Sequence, residues 1–319
     1  MNHIDKIKTL PVPSSKKLII LPWAGEFGGF IMLHMRRVHL LEADEKIVCC
    51  KPGQEIFFPS ATEFYYDYDL GGWESDDWKH GISKGAWSHL EEIGKSMAEK
   101  HPRFSEFEVV LPYREWHCYG DFDEGVYTFF DLKPKEIDTD VDIVIGGRNR
   151  AVSSHRNYSE WSRVVPVLQE AGYKVGAVGA PDSSFDMDFV DERAWDWDDF
   201  DNATVAMMQK AKLVVTTGCG IAPLGIFLRK PMVMIDLAFA QGVPCLEAQR
   251  DPSVYFCRLD PELIAVFAKY RTYKYWPDTR TDHHDDLYPL LQTILCYMKK
   301  GLPISNPLPL SPSTCPQPP

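Results

Sequence analysis

Three arginines, Arg148, Arg150 and Arg156, follow one apolar run, Val141-Asp142-Ile143-Val144-Ile145, and the pair Gly146-Gly147. Guanidinium groups grip phosphate through parallel hydrogen bonds, so this cluster is a candidate anion site. The plain alternative is surface pairing with nearby acids. A second candidate, Thr216-Thr217-Gly218-Cys219-Gly220-Ile221-Ala222-Pro223, leaves another apolar run and enters a helical pattern. Backbone N–H groups at a helix start attract phosphate, which would bring Thr217, Gly218, Cys219 and Gly220 to the same ligand. A tight turn without any ligand reads the same way. In the first half, Gly25-Glu26-Phe27-Gly28-Gly29 places Glu26 on a Gly-rich turn, either as a general base or as a helix cap.

Weaker signals surround these. Asp182 stands after a strand, where it could hydrogen-bond a ribose, and Trp195 or Trp197 could wall a nucleobase or simply anchor a loop. Asp-x-Asp recurs along the chain, as at Asp67, Asp121, Asp140, Asp186 and Asp196, so no single instance marks a metal site. His283-His284-Asp285-Asp286 sits at a helix start, where acids favour the dipole in any case. No metal and no cofactor is expected.

The elements that must position these residues alternate strand and helix. Lys17–Leu21, a Gly-containing turn, a helical pattern over 30–41 and the run Lys46–Cys50 make one βαβ unit. The stretch 60–79 reads as loop, a helix follows over 84–100, and Phe107–Leu111 is another strand. A second series begins at 141. Strands at 141–145, 173–178, 213–215 and 231–235 alternate with helices at 159–171, 202–211 and a short one after 220. That repetition predicts an α/β chain of doubly wound, Rossmann-like domains. The expected boundaries are 1–139, 140–282, a last helix within 283–301, and a Pro-rich tail over 302–319.

Composition bounds the partners. Lys plus Arg number 34 against 46 Asp plus Glu, a net charge of −12, which weighs against nucleic acid as a partner. The segment 181–202 alone carries nine acids and one Arg, and reads as a solvated acidic loop. No run is long and apolar enough to span a bilayer, and the start lacks a secretory pattern. The eight scattered cysteines then read as reduced thiols. The expectation is a cytoplasmic protein without a membrane span.

The stretch from Met207 through Leu213-Val214-Val215-Thr216-Thr217-Gly218-Cys219-Gly220 to Pro231-Met232-Val233-Met234-Ile235 resembles the donor-site signature of glycosyltransferase family 9. Tyr158–Trp161, Ala171–Val175 and Gly179-Ala180-Pro181-Asp182 fall in the family's order, and the strand before Gly25-Glu26 resembles its strand followed by Gly-Asp. The chain departs from the pattern where the family has Asp, Ser or Thr, Gly and a later His; here stand Gly218, Cys219, Gly220 and Pro223. The resemblance implies a GT-B architecture, two Rossmann-like domains facing a cleft, with the last helix crossing back to the first. It implies a metal-independent, inverting transfer of a sugar from a nucleotide-diphosphate sugar to a glycan or other hydroxyl acceptor. Arg148, Arg150, Arg156, Asp182 and 217–220 would bind the donor, and Glu26 would deprotonate the acceptor. The competing readings are a non-catalytic glycan or nucleotide binder and a transferase acting on modified nucleic-acid bases.

Overall fold

The structure, a computed structural model, describes residues 15–25, 27–70, 84–112, 131–150, 157–217, 219–236, 263–268 and 284–300. Glu26, Arg156, Gly218, His283 and the Pro-rich tail lie outside the described residues.

The apolar runs form two parallel sheets. In the first half, β1 (Lys17–Ile20), β2 (Glu45–Cys49), β3 (Glu63–Tyr65) and β4 (Glu108–Val110) lie in the order β3-β2-β1-β4. In the second, β5 (Ile143–Gly146), β6 (Val175–Val178), β7 (Glu192–Arg193), β8 (Leu213–Thr217), β9 (Met232–Asp236) and β10 (Leu263–Ala268) lie in the order β10-β9-β8-β5-β6-β7. Continuous apolar runs suit strands covered on both faces, and β5, β6 and β8 are buried along their whole length. Each sheet reverses its winding beside the first strand of its half. Beyond the carboxyl ends of β5 and β8, where Gly146 pairs with Thr216, such a reversal opens a crevice.

Helices pack on both sheets. They are α1 (residues 27–40), α2 (Lys84–Lys100), α3 (Trp161–Glu170), α4 (Phe200–Lys210), α5 (Ile221–Phe227) and α6 (His284–Lys300). Asp199 caps α4 by accepting a hydrogen bond from the Asn202 backbone N–H at 3.1 Å. The segment between the sheets is strapped to this helix. The Lys135 N–H donates to Asn202 Oδ1 (2.7 Å), Gln209 Nε2 donates to the Leu132 carbonyl (2.7 Å), and Lys210 Nζ donates to the Thr139 carbonyl (2.9 Å). Buried residues of both halves share one apolar cluster, with Ile20, Phe30 and Met35 joined to Val144, Met207 and Leu224.

Three features depart from the expectation. The last helix does not cross to the first sheet: Leu290 and Ile294 pack with Trp161, Val164, Leu168, Val233 and Ile235 of the second half. Among the described residues its apolar stripe is covered by α3 and β9. The acidic segment is not merely solvated, because Met187 and Ala194 are fully buried and Arg193 bridges Asp196 at 2.9 Å. The middle of α1, Phe30–Met35, is π-helical rather than α-helical. Phe30 meets Phe57 and Phe58 edge-on at 5.4 and 5.5 Å between ring centroids, packing that the widened turn serves.

The same wide turn buries His34 to 1% exposure against Trp23, Phe30 and Phe58, and neither ring nitrogen finds a hydrogen-bond partner among the described residues. Burial, with Arg37 nearby, pulls its pKa down to about 3. In the unfolded chain the ring protonates near the ordinary value of 6.5. The unfolded state therefore binds the extra proton below that pH, and stability is full above it and falls as pH drops toward 3, by up to about 1.4 kcal/mol per pH unit. Between pH 7 and 5, urea unfolding should show wild type losing about 2 kcal/mol more than His34→Leu. Equal losses would remove His34 as an acid-sensitive element.

Candidate active site

A cavity of about 340 Å³ opens at the carboxyl ends of the strands, walled by both halves of the chain. Trp23, Gly25, Phe27 and Phe30 come from the β1–α1 turn and α1, and Lys51 and Gln54 from the turn after β2. Gly146, Gly147, Arg148 and Arg150 follow β5; Gly179, Ser183 and Ser184 follow β6; Cys219, Gly220 and Ile221 lie between β8 and α5. Phe200, Asp201 and Thr204 complete the wall from the first turn of α4. The volume lies within the usual range for a small-molecule site.

The charge of the described cavity wall is opposite in sign to that of the chain as a whole. Among the described wall residues are three cations, Lys51, Arg148 and Arg150, and one carboxyl, Asp201. In a chain of net charge −12, that local excess of positive charge fits an anionic ligand.

The arginines are held rather than loose. The chain after β5 is hooked to the turn after β6: the Asn149 N–H donates to the Ser183 carbonyl at 2.7 Å, and the Phe185 N–H donates to the Gly147 carbonyl at 2.8 Å. Arg148, 6% exposed, donates through Nη1 to Asn157 Oδ1, which also accepts the Arg150 N–H at 3.1 Å. Asn157 Nδ2 returns a bond to the Arg150 carbonyl at 2.9 Å. One amide side chain thus fixes the direction of a guanidinium and the backbone beside it, which lowers the ordering cost of gripping a ligand.

The predicted residues divide accordingly. Arg148, Arg150, Cys219 and Gly220 meet in this one cavity. Glu26, Arg156 and Gly218 are outside the described residues, although Gly25, Phe27 and Cys219 beside them line the wall. Asp182 is exposed on the 3-10 turn Pro181–Ser183 and is not among the residues that line the cavity. Thr217 is fully buried at the end of β8, behind the wall, and its hydroxyl has no partner among the described residues. Gly220 has no room for a side chain. A Cβ there would lie 2.5 Å from the Phe27 ring and 3.0 Å from the Gly28 nitrogen, so the space is taken by α1 and not kept for a phosphate. The helix that follows, Ile221–Phe227, has seven residues, too few for a strong dipole contribution.

Sequence reasoning missed Asn157, Lys51 and Asp201. Asp201 lies in a crowd of charge: burial and the neighbouring Asp199 and Glu55 raise its pKa to about 7, while Lys51 opposes them. Beside it the Cys50 thiol is pushed up to about 12, mainly by burial, and stays neutral. Among the described residues no group of three His, Cys, Asp or Glu is arranged to hold a metal ion, and no helix is long and apolar enough to cross a membrane.

Comparison with protein-family profiles returns no match, and comparison with curated proteins returns none either. Among solved structures the similarity is to glycosyltransferase family 9 and heptosyltransferases. A family 9 glycosyltransferase of Veillonella parvula is 12% identical over 69% of this chain and 80% of its own, with a TM-score of 0.43. The ADP-heptose heptosyltransferase II of E. coli is 12% identical over 69% and 84%, with a TM-score of 0.42. The iron-containing heptosyltransferase TibC of enterotoxigenic E. coli, in complex with ADP-D-β-D-heptose, is 14% identical over 92% and 81%, with a TM-score of 0.37.

Proposed function

We propose that the chain is a glycosyltransferase that moves a sugar from a nucleotide-diphosphate sugar to an acceptor hydroxyl, in a GT-B arrangement with the cavity as its cleft. The observation that carries this reading is the convergence of Arg148, Arg150 and Lys51 on a cavity at the strand-order reversal of a Rossmann-like sheet, in an acidic protein. The resemblance of 207–235 to the family 9 donor signature agrees with it.

In this mechanism the guanidinium groups bind the diphosphate and hold the charge that develops as the bond to the sugar breaks, a role that fixed positive groups fill without a metal ion. Glu26, whose chain neighbours Gly25 and Phe27 wall the cavity, accepts the acceptor's proton. Attack from the face opposite the leaving phosphate inverts the anomeric centre. Trp23 and Phe200 offer flat apolar faces to a base or a sugar ring.

The test is a panel of ADP-, UDP- and GDP-hexoses. One donor class is expected to raise the melting temperature and to be consumed, with EDTA leaving the rate unchanged, since a ligand at 100 times its Kd adds about 2.7 kcal/mol of stability. Stabilisation without consumption under any acceptor would leave a nucleotide binder, and loss of activity in EDTA restored by manganese would end the metal-independent mechanism.

A further inference from the structure

Asp201 stands in the wall of a cavity whose other charged residues, among those described, are cations. Phe200, Asp201 and Thr204 form one face of the first turn of α4, and this face lines the same space as Arg148, Arg150 and Lys51. An ionised carboxylate there would repel a diphosphate; a neutral one would donate a hydrogen bond to it.

Resting on the sugar-transfer reading, we infer that Asp201 is a further catalytic residue, which binds the donor diphosphate in its carboxylic-acid form and gives its proton to the departing phosphate. The charged groups around it favour that form. From its own element and cap comes Asp199, and from the 3-10 turn Gln54–Phe57 comes Glu55, which accepts a hydrogen bond from Tyr66 Oη at 2.6 Å. From the turn after β2 comes Lys51, which opposes them, and Cys50 beside that turn is a neutral thiol. Burial first, and then the two acids, outweigh Lys51 and raise the Asp201 pKa, which favours the carboxylic acid. A second phosphate ionisation lies near pH 6, so the proton passes between groups of similar strength.

The step balances. The acceptor oxygen bonds to the anomeric carbon and its proton goes to Glu26. The bond from that carbon to the diphosphate oxygen breaks with its electron pair left on oxygen, and this oxygen takes the proton of Asp201. The nucleoside diphosphate leaves with one proton, and Asp201 regains its own from solvent.

The proposal predicts that diphosphate binding takes up a proton. Titration calorimetry with ADP, UDP and GDP at pH 8, in two buffers of different ionisation enthalpy, should show about half a proton or more taken up by wild type and almost none by Asp201→Asn. Wild-type affinity should fall by up to about ten-fold per pH unit between the free-state and the bound-state pKa of Asp201 and level off above the latter, and the variant should lack that share of the pH dependence. With a donor hexose that is turned over, Asp201→Asn should lower kcat by about 100-fold. Asp201→Ser, which also carries no titrating group, repeats the measurement should the Asn variant not fold. Equal proton uptake in wild type and variants would overturn the role of Asp201, and uptake with unchanged kcat would strike out the proton transfer. No binding of any of the three nucleotides to wild type would instead bring down the sugar-transfer reading, and this proposal with it.

Discussion

Arg148→Ala should weaken nucleoside diphosphate binding by about 1.5–3 kcal/mol, roughly 10- to 150-fold, without unfolding the protein. The range is that of a hydrogen bond to a charged group, and burial places Arg148 at its upper end. At 6% exposure the guanidinium has already left water, and Asn157 already fixes its direction. A diphosphate therefore meets a donor that pays little further desolvation or ordering cost. Arg150, half-buried, keeps more of its hydration, and Arg150→Ala should cost less. Arg148→Lys restores the charge but not the planar fork, so it should recover only part of the loss. Binding of ADP, UDP or GDP measured by calorimetry on the three variants gives the order directly. Should Arg148→Ala bind as tightly as wild type, the guanidinium would be a structural strut tied to Asn157, and the anion site would lose its strongest group.

How much of this was legible before the fold depends on the scale of the signal. The long apolar runs were plain, and β1, β2, β5, β6, β8 and β9 fall within one to three residues of the expected strands. β7 was not, because a two-residue strand of Glu192 and Arg193 has no hydrophobic pattern to show. The π-helical turn at Phe30–Met35 was hidden too: Ile31, His34, Met35 and Val38 are spaced for one α-helical face, and the packing of Phe30 on Phe57 and Phe58, brought in from another segment, is not visible in that spacing. At the cavity, Arg148 and Arg150 stood out because three arginines after one strand are conspicuous in an acidic chain. Asp201 did not, being one of nine acids within 181–202. What sets it apart is that α4 turns it inward while Asp182, Asp186 and Asp198 remain at the surface. Charge density in sequence reports a solvated face and says nothing of a member that lines a cavity.

The reversal point between β5 and β8 makes the second large prediction. Gly146 pairs with Val178 on one side and Thr216 on the other, and a Cβ at this position would lie 2.3 Å from Thr216 Oγ1, 3.0 Å from Thr216 Cβ and 3.2 Å from Ile221 Cβ. None of these is the far end of a flexible chain: Thr216 is fully buried in a central strand, and its hydroxyl is shared among the Gly146 carbonyl, the Thr217 carbonyl and Cys219 Sγ, each at 3.3 Å. Gly146→Ala should therefore destabilise the protein by about 1–3 kcal/mol through overpacking. Because the added methyl pushes on the two strands that carry Arg148 and Cys219, nucleotide binding should weaken as well. Thr216→Ala removes the atoms in the way, so the double variant should be more stable than the sum of the two single losses predicts. Residues in direct contact show such coupling at about 0.5–3 kcal/mol. Urea unfolding of the four proteins measures it. Additive losses would mean that β5 and β8 separate freely to admit the methyl, and the site between them would then lack the rigid backing on which the positioning of Arg148 depends.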